Sequence, residues 1–141
     1  MSKYLRNPSS WTMFVFGLMA AVLGLLGLLN PNFILWQLGF ESVARELRAS
    51  HDYTTVFIMA SSMASLNMGV YYVLAAVNNL QQFYLWTVPF RTLTFTIFTL
   101  VVLLGYAPGR FFTVALWELL GAVATGIALY YERQPAKQKR P

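Results

Sequence analysis

Long apolar runs alternate with short polar breaks along this chain. Four runs carry at most one charge each: Trp11 to Leu29, Tyr53 to Val77, Phe83 to Leu104 and Phe111 to Tyr131. Each holds 19 to 25 residues, and ~20 residues at 1.5 Å per residue cross the ~30 Å hydrocarbon layer of a bilayer. A helix buried in a soluble core keeps one polar face, and these have none. The pattern predicts an all-α polytopic membrane protein, an antiparallel bundle of four transmembrane helices. Residues 1–10 read as an N-terminal stub, 11–131 as a single transmembrane domain and 132–141 as a basic tail.

The breaks set the connections. GYAPGR, Gly105 to Arg110, is a strong turn signal and makes the last two spans a tight hairpin. Asn78 to Gln82 is a short polar turn, and Pro89 marks a first turn or a kink in the third span. Between the first two spans lies a longer, half-apolar stretch. Phe40, Val43, Ala44 and Leu47 share a helical face there, so a short interfacial helix is expected at this place, with Trp36 at headgroup level. Ser50 or Asp52 is positioned to cap the second span.

Composition agrees: 57% of residues are hydrophobic, 11% are charged, and mean hydropathy is +0.54. The first run is too long for a signal-peptide core and lacks a small-residue cleavage site, so it reads as a retained helix. There is no cysteine, which removes disulfides, thiol chemistry and thiolate metal sites. His51, the only histidine, has no second candidate ligand nearby, and neither a metal nor another cofactor is expected.

Charge sets the topology. Lys3, Arg6, Arg133, Lys137, Lys139 and Arg140 lie on the terminal side, and Arg45, Arg48 and Arg110 on the other. The excess of basic residues places both termini in the cytoplasm. The net charge of +5 is therefore a matter of orientation, and no nucleic-acid partner is expected. Lys137 and Lys139 stand fifth and third from the end, the spacing of a dilysine signal for retrieval to the endoplasmic reticulum. An ordinary solvated basic tail has the same composition.

Polar residues inside the spans are the candidate chemistry. Gly17 and Gly24 in the first span, Ser65 and Gly69 in the second, and Gly121 and Ala122 in the fourth have the small-residue spacing of close helix packing. Thr92, Thr94, Thr96 and Thr99 follow one another along the third. Arg91 and Glu118 are the two charges at membrane depth. Counted from the GYAPGR turn they differ in depth by roughly 8 Å, and in an antiparallel pair their side chains lean apart. On that reckoning Arg91, with Asn67 at similar depth, reaches toward cytoplasmic water or phosphate. Glu118 falls level with Ser61, Ser62 and Thr96, whose hydroxyls are expected to hold it inside the bundle. A carboxylate there is either a packing device or a ligand site.

The Gly-rich first span, Asn30, Pro31 and Phe33, Arg91 entering the third span, the Gly105 and Pro108 turn and Glu118 early in the fourth together resemble the DoxX-like superfamily of small four-helix membrane proteins. That resemblance covers Trp11 to Tyr131 in layout. It implies quinone-linked redox chemistry, as in bacterial members, or a role as cargo receptor or assembly chaperone in the endoplasmic reticulum, as in eukaryotic ones. Size and tail also resemble the ergosterol-biosynthesis scaffold family, although Asn67 and Val101 to Leu104 stand where that family has an arginine and an acidic residue.

Two functions follow. One is a non-catalytic accessory protein that binds other membrane proteins, or a second copy of itself, as chaperone, cargo receptor or scaffold subunit. It fits a chain with little mass outside the bilayer and no nucleophile–base pair, paired carboxylates or phosphate loop. The other is a binder or isomerase of a small lipid or sterol-like ligand, with Glu118 in a pocket lined by Ser61, Ser62, Thr96, Tyr71, Tyr72 and Trp117. A channel would need more ionisable groups along a path than Arg91 and Glu118.

Overall fold

The computed structural model describes Leu5 and residues 7–134. Those residues form five helices and no strand: α1 (Pro8–Leu29), α2 (Pro31–Leu38), α3 (Thr54–Val77), α4 (Gln81–Leu103) and α5 (Phe112–Arg133). Among them α1, α3, α4 and α5, the last with the 3₁₀ turn before it, are long and apolar enough to cross a membrane. This is the antiparallel four-helix bundle that the hydrophobic runs predict. Lys3, Arg6, Lys137, Lys139 and Arg140 lie outside the described residues.

Local chemistry explains where the helices begin and end. Pro8 opens α1 and Pro31 opens α2, a position where the missing N–H costs nothing. Asn30 ends α1 and its side chain accepts the Phe33 N–H at 3.1 Å, capping α2. Gly39, at φ 84°, ends α2 in the left-handed conformation that glycine adopts without strain. The Asp52 carboxylate accepts the Thr54 N–H at 2.9 Å at the start of α3.

The short helix between the first two spans is thus α2, carrying Trp36, and lies earlier than the expected segment. Phe40, Val43 and Ala44 are not helical, and Leu47 ends a single 3₁₀ turn, Arg45–Leu47. The Asn-Pro pair supplies both a cap and a first helical residue, whereas Ser42, the cap-type residue in Phe40 to Leu47, is followed by no proline and starts no helix.

Helices next to each other in sequence are not always neighbours in space. α1 packs closely on α3, α4 on α5, and a contact between α1 and α5 joins the two pairs, while α3 and α4 touch little. The α1–α3 seam runs on small residues. A β-carbon added to Gly17 would stand 2.7 Å from the Tyr72 Cβ and 2.9 Å from the Gly69 carbonyl, and one on Gly24 would meet the Leu66 backbone. Ser65 donates its hydroxyl to the Ala20 carbonyl at 3.0 Å across this seam. In lipid no hydrophobic drive holds helices together, so close packing and such bonds do.

Candidate functional site: a buried arginine where four helices meet

Arg91 leaves α4 and crosses the centre of the bundle. It is 3% exposed. Its guanidinium carbon lies 4.7 Å from the centroid of Phe16 on α1 and 5.0 Å from that of Tyr72 on α3. On α5 it rests against Gly121, where any β-carbon would collide with Nη1. Nε stands 3.4 Å from Oε2 of Glu118, one turn along α5. Phe16 is itself packed edge-on by Trp117, with ring centroids 4.6 Å apart. All four spans therefore contribute to one aromatic and charged centre.

Its energetics are unusual. A desolvated guanidinium over an aromatic face gains ~2 kcal/mol, and two rings share this one. The Glu118 contact is an ion pair without the 2.7–2.9 Å closeness of a charge-assisted hydrogen bond. Nε and Nη1 are buried with no hydrogen-bond partner, which in a low-dielectric interior is costly. The cation is neutralised but not saturated with acceptors.

This arrangement corrects two expectations. Arg91 does not reach toward the headgroups, and Glu118 is not held by Ser61, Ser62 and Thr96. Ser61 is exposed and bonds the Ile58 carbonyl at 2.9 Å. Thr96 is exposed and bonds the Thr92 carbonyl at 2.9 Å. Ser62 is buried in the α1–α3 seam against Gly27. The reason is rotational: α1 joins α3 to α5, so at the right depth Ser62 of α3 faces α1, while Ser61 of α3 and Thr96 of α4 face outward. The depth difference between Arg91 and Glu118 matters little, because the arginine stem crosses sideways over the gap at Gly121.

The remaining candidates fall in three places. Gly17, Gly24, Ser65 and Gly69 lie in the α1–α3 seam. Gly121 and Ala122 are buried on α5. Asn67 is exposed on α3, and Tyr71 is 55% exposed, so neither joins the centre; Tyr72 does. A shallow apolar groove between α4 and α5, lined by Val88, Thr92, Ala122, Val123, Gly126 and Ile127, excludes both Arg91 and Glu118. No cluster of metal-ligating side chains occurs among the described residues.

A second polar centre, unforeseen from the sequence, lies at the terminal end. Glu132 on α5 accepts the Ser9 N–H at 2.7 Å and the Ser9 hydroxyl at 2.8 Å. It thereby caps α1, whose own Asn7 makes no side-chain cap. The Ser10 hydroxyl donates to Asn79 at 3.0 Å and lies 3.2 Å from the Tyr84 hydroxyl, which donates to the Ala75 carbonyl at 2.9 Å. Thr12 and Thr125 hydroxyls meet at 3.1 Å. The available signal was the Ser-Ser pair just after Asn7-Pro8 together with an acidic residue in the final helical turn.

No family model, no curated protein and no solved structure matches the chain significantly. The resemblance to the DoxX-like superfamily therefore rests on layout alone, and that to the ergosterol-biosynthesis scaffolds on size and tail alone.

Proposed function

We propose that this is a non-catalytic membrane accessory protein that binds other membrane proteins, in the manner of an assembly chaperone, cargo receptor or scaffold subunit. The observation that carries this is Asn67. It sits in the middle of α3, exposed to the lipid side, and its carboxamide makes no hydrogen bond among the described residues. An amide facing hydrocarbon without a partner costs several kcal/mol, and polar side chains at membrane depth serve as contacts between helices. Exposed Ala60 and Ala64 share its face, with the spacing that lets another helix approach.

The Lys/Arg count supports cytoplasmic termini, and the Lys137 and Lys139 spacing supports residence in the endoplasmic reticulum. Removing residues 137–141 and following the tagged chain tests the address: an unchanged location would refute it. For the docking face, a photo-reactive residue in place of Ala64 in native membranes should yield a protein adduct, and the same residue in place of Val123 on the outer face of α5 should not. Equal labelling at both would sink the reading.

A second reading has its own observation. The unpaired Nε and Nη1 of Arg91 favour an acceptor-bearing small lipid or sterol-like ligand near Glu118. Native mass spectrometry of the gently extracted protein distinguishes the two, since a defined lipid bound to wild type and lost in Glu118→Gln would support a ligand site. Retention of that lipid by the variant, or its absence from both, would count against one.

A further inference from the structure

We infer that the occupant of the Asn67 face is a second copy of this chain, paired through α3 about a two-fold axis along the membrane normal. The inference rests on the reading of α3 as a docking face and names its partner. At 100° per residue Ala60, Ala64, Asn67 and Tyr71 fall within an arc of ~60°. Ser62 and Gly69, buried against α1, lie on the opposite side of the helix. α3 thus carries two small-residue faces, and the bundle uses one.

Asn67 is 13 residues from the first residue of α3 and 10 from the last, which places it within ~2 Å of the helix midpoint. Copies inserted with the same topology run their α3 helices in parallel, so each residue meets its own counterpart at its own depth. A polar group in such a contact must complement itself. A carboxylate or guanidinium would repel its twin, whereas a carboxamide both donates and accepts. A different partner would need a polar group of its own at mid-membrane, while a second copy brings one by symmetry. The backbones have room to approach, because alanines occupy the two preceding turns of the same face.

The chain's lack of cysteine makes the test clean. Single cysteines replace Ala60, Ala64 or, as a control, Val123, and the full-length chain is oxidised in native membranes. Disulfide-linked dimers are expected from Ala60→Cys and Ala64→Cys but not from Val123→Cys. In the Ala64→Cys background Asn67→Leu should weaken association roughly 3- to 20-fold, the range of interhelical polar contacts in membranes, and Asn67→Gln should keep most of it. Asn67→Leu removes an unbonded, exposed amide, so folding is not at stake. Dimers that form equally at Val123, or that survive Asn67→Leu undiminished, overturn the inference. A photo-adduct of Ala64 with another protein and no homodimer overturns the second copy but leaves the docking face standing. No adduct of any kind overturns both.

Discussion

At the terminal end of the bundle, Ser9 gives both its N–H and its hydroxyl to Glu132, and Ser10, Asn79 and Tyr84 close a chain of hydrogen bonds around a buried cluster that includes Met13, Tyr72 and Leu129. Deeper in the membrane, Arg91 meets one carboxylate at 3.4 Å and two aromatic faces, and leaves two nitrogens without acceptors. The first centre joins α1, the α3–α4 turn, α4 and α5 through saturated polar groups, as a clasp does. The second joins the four spans through one cation, its carboxylate and the aromatic faces around it. Satisfied buried networks make structure rigid, whereas an unsatisfied charge in low dielectric is the usual mark of a working site.

Breaking each centre should expose that difference. The largest loss is expected from Glu118→Gln, which leaves a buried cation without its counter-charge: about 3–5 kcal/mol, read as unfolding free energy in bicelles. Replacing both partners, Arg91→Met with Glu118→Leu, should recover most of it. A double variant as unstable as the single one would mean that the pair is not the energetic unit.

Glu132→Ala should cost about 2 kcal/mol, because the Ser9 N–H and hydroxyl lose their acceptor. Its effect should stay with stability and leave cross-linking through α3 unchanged. Altered cross-linking would show that the clasp and the docking face are coupled.

Gly121→Ala puts a methyl where the guanidinium lies and should cost about 1–3 kcal/mol through overpacking. In combination with Arg91→Met that cost should largely vanish. A persistent cost would assign Gly121 to backbone packing and not to the arginine.

The smallest effect lies outside the membrane. Hydrogen bonds from the Thr54 side chain and N–H, and then the Arg48 guanidinium at 2.7 Å, hold the Asp52 carboxyl down at about 2. A carboxylate lowered in the folded state contributes its stabilisation fully above its unfolded value of ~3.9 and loses it as pH falls toward the folded value. Protection of the amides at the start of α3 against hydrogen exchange, taken relative to the intrinsic rate at each pH, should therefore fall between about pH 4 and pH 2 in wild type. In Asp52→Asn that protection should be lower at neutral pH and flat across that window; equal acid response in both would remove Asp52 as the cap.

Much of the fold is legible from the chain. Hydrophobic length and the GYAPGR and Asn78 to Gln82 breaks locate all four spans to within three residues at either end. The connection after α1 is harder, since amphipathic spacing from Phe40 to Leu47 competes with the Asn30-Pro31 cap and the cap prevails. Arg91 and Glu118 stand out as charges in apolar runs, yet their pairing does not follow from depth. Counting residues gives position along the membrane normal, whereas contact also needs the rotation of each helix and the order of helices around the bundle.

What sequence alone determined is therefore one-dimensional: which residues cross the bilayer, where the chain turns, and which groups are costly there. The rest came from tertiary structure. The placement of α1 against both α3 and α5 takes the serines of α3 away from Glu118. The bare Cα of Gly121 lets the Arg91 stem cross between helices, and Tyr72 and Phe16 supply the faces that receive it. Asn67 is a polar residue in either description, but only the packing of Ser62 and Gly69 against α1 turns its carboxamide outward, because a helix buries one side and must present the other.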